Sequence, residues 1–240
     1  MKLAIVKEHR DFFQKQGFIE FENFLTQSQL KEWNQAIDQA LASRLEVTVD
    51  SVKRSSAEKL FLQSRDLWRT HEPLKKLVCQ PRYAKIASEL VEAAPIRLGY
   101  DQFFPVSYEA LNLAKEDVYT RYLQPIENLE SRSCLRGVLC GLMLALGPAE
   151  DEVSQSENLE AGIDVFPHPP GHAIFFQPQA EVNWNQFYQH AGQRFFLIVY
   201  TQLFAYYELQ PKDPHTHALK HLGYIFNDKL SDRLNPTLYR

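Results

Sequence analysis

The chain has 240 residues, with 26 Lys and Arg against 30 Asp and Glu, a formal net charge of −4. That balance excludes a strongly basic nucleic-acid binder, and 45% apolar with 23% charged residues is ordinary globular usage rather than that of a disordered chain. Phe is abundant at 16 and Tyr at 11, whereas Gly is scarce at 9, which points to an aromatic-filled core and away from a glycine-rich phosphate cradle.

In chain order, residues 10–16 predict a short helix stopped by Gly17, and Phe18, Ile19 and Phe21 suggest a short strand. Thr26 followed by Gln29 has the pattern of a capping box, after which Leu30, Trp33, Ile37 and Leu41 recur at helical spacing. A second helix is expected over residues 57–69, carrying Leu60, Phe61, Leu67 and Trp68. A third starts near Pro81, a residue suited to the first helical position, with Tyr83, Ile86, Ala87, Leu90 and Val91 as its apolar stripe. From Pro95 the pattern changes to short apolar runs over 96–104, 135–146, 163–166, 173–176 and 194–207, separated by Pro and Gly turns. Helices first and strands later give an α+β class with a β-sandwich or barrel core. Residues 148–162 hold five carboxylates and no basic residue, the composition of a solvated loop. A helix start is expected at Asp213-Pro214, ahead of a Pro- and Asn-punctuated tail. The whole of 1–240 is taken as a single domain: a mostly helical flank (1–95), a strand core (96–207) and a C-terminal extension (208–240).

Cys79, Cys134 and Cys140 are odd in number, widely spaced and free of any CxxC pattern, as expected of reduced thiols in a cytoplasm. Only four apolar residues in a row precede Lys7, against the ~7–15 of a secretory signal. No run reaches the ~18–20 apolar residues of a membrane span. The expectation is a soluble cytoplasmic protein with neither a membrane nor a nucleic acid as partner.

Of the eight histidines, His215, His217 and His221 are the densest group. A helix from Pro214 would put His217 and His221 on one face, a spacing that can hold a metal. However, the HExxH pattern is absent and Lys220 lies between them, so a solvated helix start is the favoured interpretation. His168 and His172 flank Pro169-Pro170-Gly171, a turn, and His190 sits in the loop before Arg194. Cys134 and Cys140 lie in or beside an apolar run, where thiols are packing groups. The aromatic run from Phe195 to Tyr207 lacks interleaved basic residues, so it is core rather than a base-stacking platform.

Three segments, in order, resemble the phytanoyl-CoA dioxygenase-like branch of the Fe(II)/2-oxoglutarate oxygenases. The first, residues 12–37, is FFQKQGFIEFENFLTQSQLKEWNQAI; the second, residues 67–104, leads into a strand with Tyr100-Asp101-Gln102; the third, residues 171–200, contains GHAIFF and RFFLIVY. The resemblance implies a double-stranded β-helix, a jelly-roll barrel, flanked by N-terminal helices. It also implies a two-His, one-carboxylate iron centre with the first His and the carboxylate as His-x-Asp or His-x-Glu. A second His would lie about ten residues before an arginine that pairs with 2-oxoglutarate.

This chain departs from that pattern. His-x-Asp and His-x-Glu are absent, and no histidine lies between Asp101 and Leu135. Arg194 matches the 2-oxoglutarate arginine, but ten or eleven residues before it stand Trp184 and Asn183. The expectation is therefore a degenerate oxygenase-like protein, a pseudoenzyme with no cofactor and no iron at the usual site, acting as a binding or interaction protein. An alternative is an active oxygenase using Fe(II) and 2-oxoglutarate through rearranged ligands drawn from Asp164, His168, His172 and His190. A further alternative is a metal-independent pocket for a small anion such as a dicarboxylate, with Arg194 as its fixed charge. Arg194 also has a purely structural interpretation, opening a strand and pairing with a loop carboxylate such as Glu181.

Overall fold

The computed structural model describes residues 4–105, 126–147, 162–167, 169–184 and 193–240. Helix α1 (Lys7–Gln16) ends where Gly17 takes a left-handed φ of 80° and donates its N–H back to the Phe13 carbonyl, and β1 (Phe18–Phe21) follows. The expected capping box opens α2 (Gln27–Leu45): Thr26 Oγ1 accepts from the Gln29 N–H, and the Gln29 side chain accepts from the Thr26 N–H at 2.9 Å. Leu30, Trp33, Ile37 and Leu41 are all buried on its inward face.

The second expected helix is broken. It is α4 (Ala57–Gln63), after a short α3 (Val49–Lys53), and then a separate 3-10 turn over Leu67–Arg69. The break sits at Ser64–Asp66, where Asp66 has φ of 58°. Ser64 Oγ donates to the Phe61 and Phe103 carbonyls, and the carboxylate of Asp101 accepts from the N–H groups of Leu67 (2.9 Å) and Trp68 (3.0 Å). Contacts to a distant strand thus override the local periodicity. Helices α5 (Glu72–Val78) and α6 (Pro81–Val91) complete the layer.

Strands β2 (Ile96–Pro105), β3 (Ile126–Glu127), β4 (Leu135–Ala145), β5 (Ala173–Phe176), β6 (Val182–Asn183), β7 (Arg194–Tyr207) and β8 (Thr237–Tyr239) follow, with a one-turn α7 (Leu129–Arg132) before β4. Six of the eight strands form an antiparallel sheet in the order β1-β5-β4-β7-β2-β8, and β3 pairs with β6 apart from it. The expected strand at 163–166 is reduced to a single bridge between Ile163 and Val182. The acidic stretch over 148–161 lies outside the described residues.

The sheet is covered on both faces, which is why β4 and β7 read as unbroken apolar runs. Along β7, Phe196, Ile198 and Tyr200 join the core cluster shared with α1 to α6. The alternate residues Phe195, Leu197 and Val199 join a second cluster with Val165, Phe166, Val182, Trp184, Leu219 and Leu230. The architecture is a mixed helix and strand fold with a curled antiparallel sheet, in line with the jelly-roll expectation. Among the described residues, no helix is long and apolar enough to cross a membrane.

Candidate functional site

Strand alternation decides where Arg194 points. It shares parity with Phe196, Ile198 and Tyr200, so its side chain leaves the sheet on the helix-covered face. There Nη2 donates to Asp38 Oδ1 at 2.6 Å and Nη1 to Asp38 Oδ2 at 3.3 Å, with the guanidinium 4.9 Å from the Phe103 ring centre. Asp38 belongs to α2. The ion pair expected with a loop carboxylate such as Glu181 is therefore made with Asp38 instead.

Asn183 is buried in β6, with its N–H bonded to the Ile163 carbonyl at 3.0 Å and its Cβ against Gly162. Asp164 accepts from the Phe166 N–H at 2.8 Å, and burial raises its pKa to about 6. His172 precedes β5 and meets Glu20 of β1 at 3.1 Å, a partner the sequence pattern did not suggest. His168 and His190 lie outside the described residues. Among the described residues, no three His, Cys, Asp or Glu side chains converge as a metal site would require.

The face of the sheet opposite the helices tests the fit of an iron centre. It carries Phe104, Met143, Phe176, Phe195 and Leu197. Phe104 stacks on Trp184 with centroids 5.9 Å apart, and Phe166 meets Trp184 edge-on at 6.2 Å and Phe195 at 5.0 Å. The Trp184 indole N–H donates to the Glu127 carbonyl at 3.0 Å. Rings and aliphatic side chains are not Fe(II) ligands, so these residues would not hold the metal.

Polar chemistry is concentrated elsewhere, around a buried pair between Arg65 and Asp213. Arg65 Nη2 lies 3.2 Å from Asp213 Oδ1, and its guanidinium lies 3.7 Å above the Tyr100 ring. Asp213 also accepts from the N–H groups of Cys134 (3.0 Å) and His215 (2.9 Å). Burial alone would raise its pKa, but Arg65 and His215 outweigh that and hold it below the usual carboxylate range. Burial and the nearby Arg65 cation depress His215 to about 4, so it is neutral at pH 7. Its Nε2 meets the Leu62 carbonyl at 3.1 Å. The thiols of Cys134 and Cys140 are pushed up by burial and are packing groups, as expected.

The expected helix from Pro214 is a 3-10 turn over Ala218–Leu222 with His217 at its cap. In a 3-10 turn residues three apart eclipse, so His217 and His221 do not share the face that the metal spacing requires. They instead rim an open cleft of about 520 Å3 facing Arg44, Arg65 and Arg69. Arg65 and Asp213 are 148 residues apart. The only sequence signal for this region was the density of histidines.

No family model matches the sequence, and no curated protein matches it. Solved structures do. The non-heme alpha-ketoglutarate-dependent epimerase SnoN from nogalamycin biosynthesis is similar at a TM-score of 0.63 and 14% identity, over 98% of each chain. The non-heme alpha-ketoglutarate-dependent carbocyclase SnoK from the same biosynthesis is similar at 0.61 and 16%, over 97% of this chain and 96% of that one. CytC3 with Fe(II) and alpha-ketoglutarate is similar at 0.53 and 12%, over 88% and 82%. At these identities the likeness is one of fold, and the chain has the fold of the non-heme Fe(II)/2-oxoglutarate-dependent enzymes.

Proposed function

We propose that this chain is a catalytically degenerate form of the Fe(II)/2-oxoglutarate oxygenase fold, nearest its phytanoyl-CoA dioxygenase-like branch, that serves as a binding protein. The observation that carries this is the aromatic packing of Phe104, Phe166, Trp184 and Phe195 on the face opposite the helices. Among the described residues of this cluster, rings and aliphatic groups stand where a ligated ion would need nitrogen or oxygen donors. Engagement of Arg194 by Asp38 adds to it, since a guanidinium already forked onto one carboxylate is not free for another. The branch assignment rests on the order of the three sequence segments. The thiols at Cys79, Cys134 and Cys140 favour a reducing, cytoplasmic setting.

The test is turnover and metal content together. Purified protein incubated with Fe(II), 2-oxoglutarate and oxygen should release no succinate above a blank without protein, and should retain less than a tenth of an equivalent of iron after gel filtration. Stoichiometric iron with 2-oxoglutarate-dependent succinate release would refute the proposal and establish the oxygenase with rearranged ligands.

A further inference from the structure

The cleft between the 62–70 segment and the 214–222 segment has a charged wall carrying Arg44, Arg65, Asp66 and Arg69, and a facing wall on which histidines alternate with apolar residues. Its volume, about 520 Å3, lies within the ~300–1,000 Å3 range of small-molecule sites. The charges on its walls do not cancel pair by pair. Arg65 is matched by Asp213, and Arg69 Nε by Asp66 Oδ2 at 3.2 Å. Among the described residues Arg44 has no such ion pair: it donates to the carbonyls of Gln63 (3.0 Å), Arg65 and Asp66 (2.9 Å) and to Thr70 Oγ1 (3.3 Å), all neutral acceptors. Its hydrogen bonds are satisfied, while Asp101 and Asp66 act on its charge from beyond ion-pair distance. The carboxylate of Asp101 is turned to the backbone of Leu67 and Trp68. Arg69 Nη2 is buried without a hydrogen-bond partner, a costly state for a charged donor.

Across the cleft, His217 and His221 are exposed, and Leu62, Pro214, Ala218 and Leu222 provide the apolar lining. Asp66 is the carboxylate among the lining residues, and it is held by Arg69 Nε and the Trp68 indole N–H.

We propose that this cleft binds a small organic anion. Its phosphate or carboxylate head faces the Arg44 and Arg69 wall and hydrogen-bonds the imidazoles of His217 and His221; its apolar body lies against Leu62, Ala218 and Leu222. The site is separate from the aromatic interior, so it stands whether or not the chain turns over 2-oxoglutarate.

Calorimetric titration of the full chain with phenyl phosphate, inorganic phosphate and benzoate tests it. Saturable one-to-one binding of phenyl phosphate is expected, about tenfold tighter than inorganic phosphate because the ring buries apolar surface. Benzoate binding of similar strength would widen the head to carboxylates, and its failure would restrict the head to phosphate. Joint replacement of the exposed pair, His217→Ala with His221→Ala, should weaken phenyl phosphate about tenfold. Ala218→Glu, which puts a carboxylate into the cleft, should do at least as much. Unchanged melting temperatures would show that both variants fold, and Arg194→Gln should bind as the parent does. No saturable binding, equal affinity for phenyl and inorganic phosphate, or undiminished binding in both cleft variants would overturn the assignment.

Discussion

Replacing Arg194 with Gln separates a ligand-binding arginine from a structural one. Its two bonds to Asp38, at 2.6 and 3.3 Å, form a fork between side chains only 10% and 16% exposed. The ~0–1 kcal/mol typical of surface pairs does not apply at that burial. Removing one partner of a buried pair costs ~3–5 kcal/mol because the other charge is left unpaired; the partial exposure of Asp38 places this case near the lower end, about 3 kcal/mol. Loss of the guanidinium over Phe103 adds about 0.5–1 kcal/mol. For a chain of this size each kcal/mol moves Tm by ~2–4 °C, so Arg194→Gln should melt roughly 7–16 °C lower. The double variant with Asp38→Asn should recover about 1–3 kcal/mol of the summed loss. Calorimetric melts of the four proteins and 2-oxoglutarate titrations of each are the assay. If Arg194→Gln melts within a degree of the parent and loses 2-oxoglutarate binding, the arginine is a ligand group and its pairing with Asp38 is incidental.

Other perturbations probe the same fold. Trp184→Ala should cost about 3–5 kcal/mol, the usual loss for a large buried ring, read by urea denaturation; a loss below 1 kcal/mol would mean that the interior is not packed around it. Gly141→Ala would put a Cβ 2.4 Å from the Phe176 ring, and overpacking of this kind costs about 1–3 kcal/mol; an unchanged melting temperature would contradict the register of β4 on β5. Burial and the neighbouring Asp66 raise Asp101 to about 7, so the folded chain holds this proton more tightly than the unfolded one. Its contribution is present below about pH 4 and is lost as pH rises from 4 through 7. His215, depressed to about 4, acts oppositely, its contribution being lost as pH falls from 6.5 through 4. Asp101→Asn should therefore flatten the decline toward pH 7, and His215→Gln the decline toward pH 4, in denaturation series across that range; a parental slope in either variant would remove that group as the cause.

What the sequence disclosed was local. Thr26 and Gln29 cap a helix through atoms three residues apart, Gly17 stops one by its own φ, and the run at 173–176 is a strand to the residue. What it concealed was long-range. The break before Leu67 is imposed by Asp101, 34 residues on, and no periodicity in residues 57–69 records that. The partner of Arg194 lies 156 residues away. Alternation along β7 can be counted from the sequence, but which parity meets the helices cannot. Counting back from Arg194 found Asn183 and Trp184 at the position where the resemblance implies a histidine. It did not show that Trp184 faces Phe104 and Phe166.

The placement of the polar groups follows from covering the sheet on both sides. A β-strand offers each face only alternate side chains, and here both sets in the middle of β4 and β7 are used for packing. A buried charge in such a sheet is tolerable only with a hydrogen-bonded partner, and partners come from whatever segment crosses at that point. Asp38 of α2 serves Arg194, and Asp213 of the C-terminal segment serves Arg65. Unspent polar capacity is then left at a seam, where the 62–70 and 214–222 segments meet without a strand between them. Arg44, bonded only to neutral acceptors among the described residues, and the exposed imidazoles of His217 and His221 stand at that seam. Among the described residues, the face opposite the helices is lined by aromatic packing, and the proposed anion site lies instead at a seam between the helical layer and the C-terminal segment.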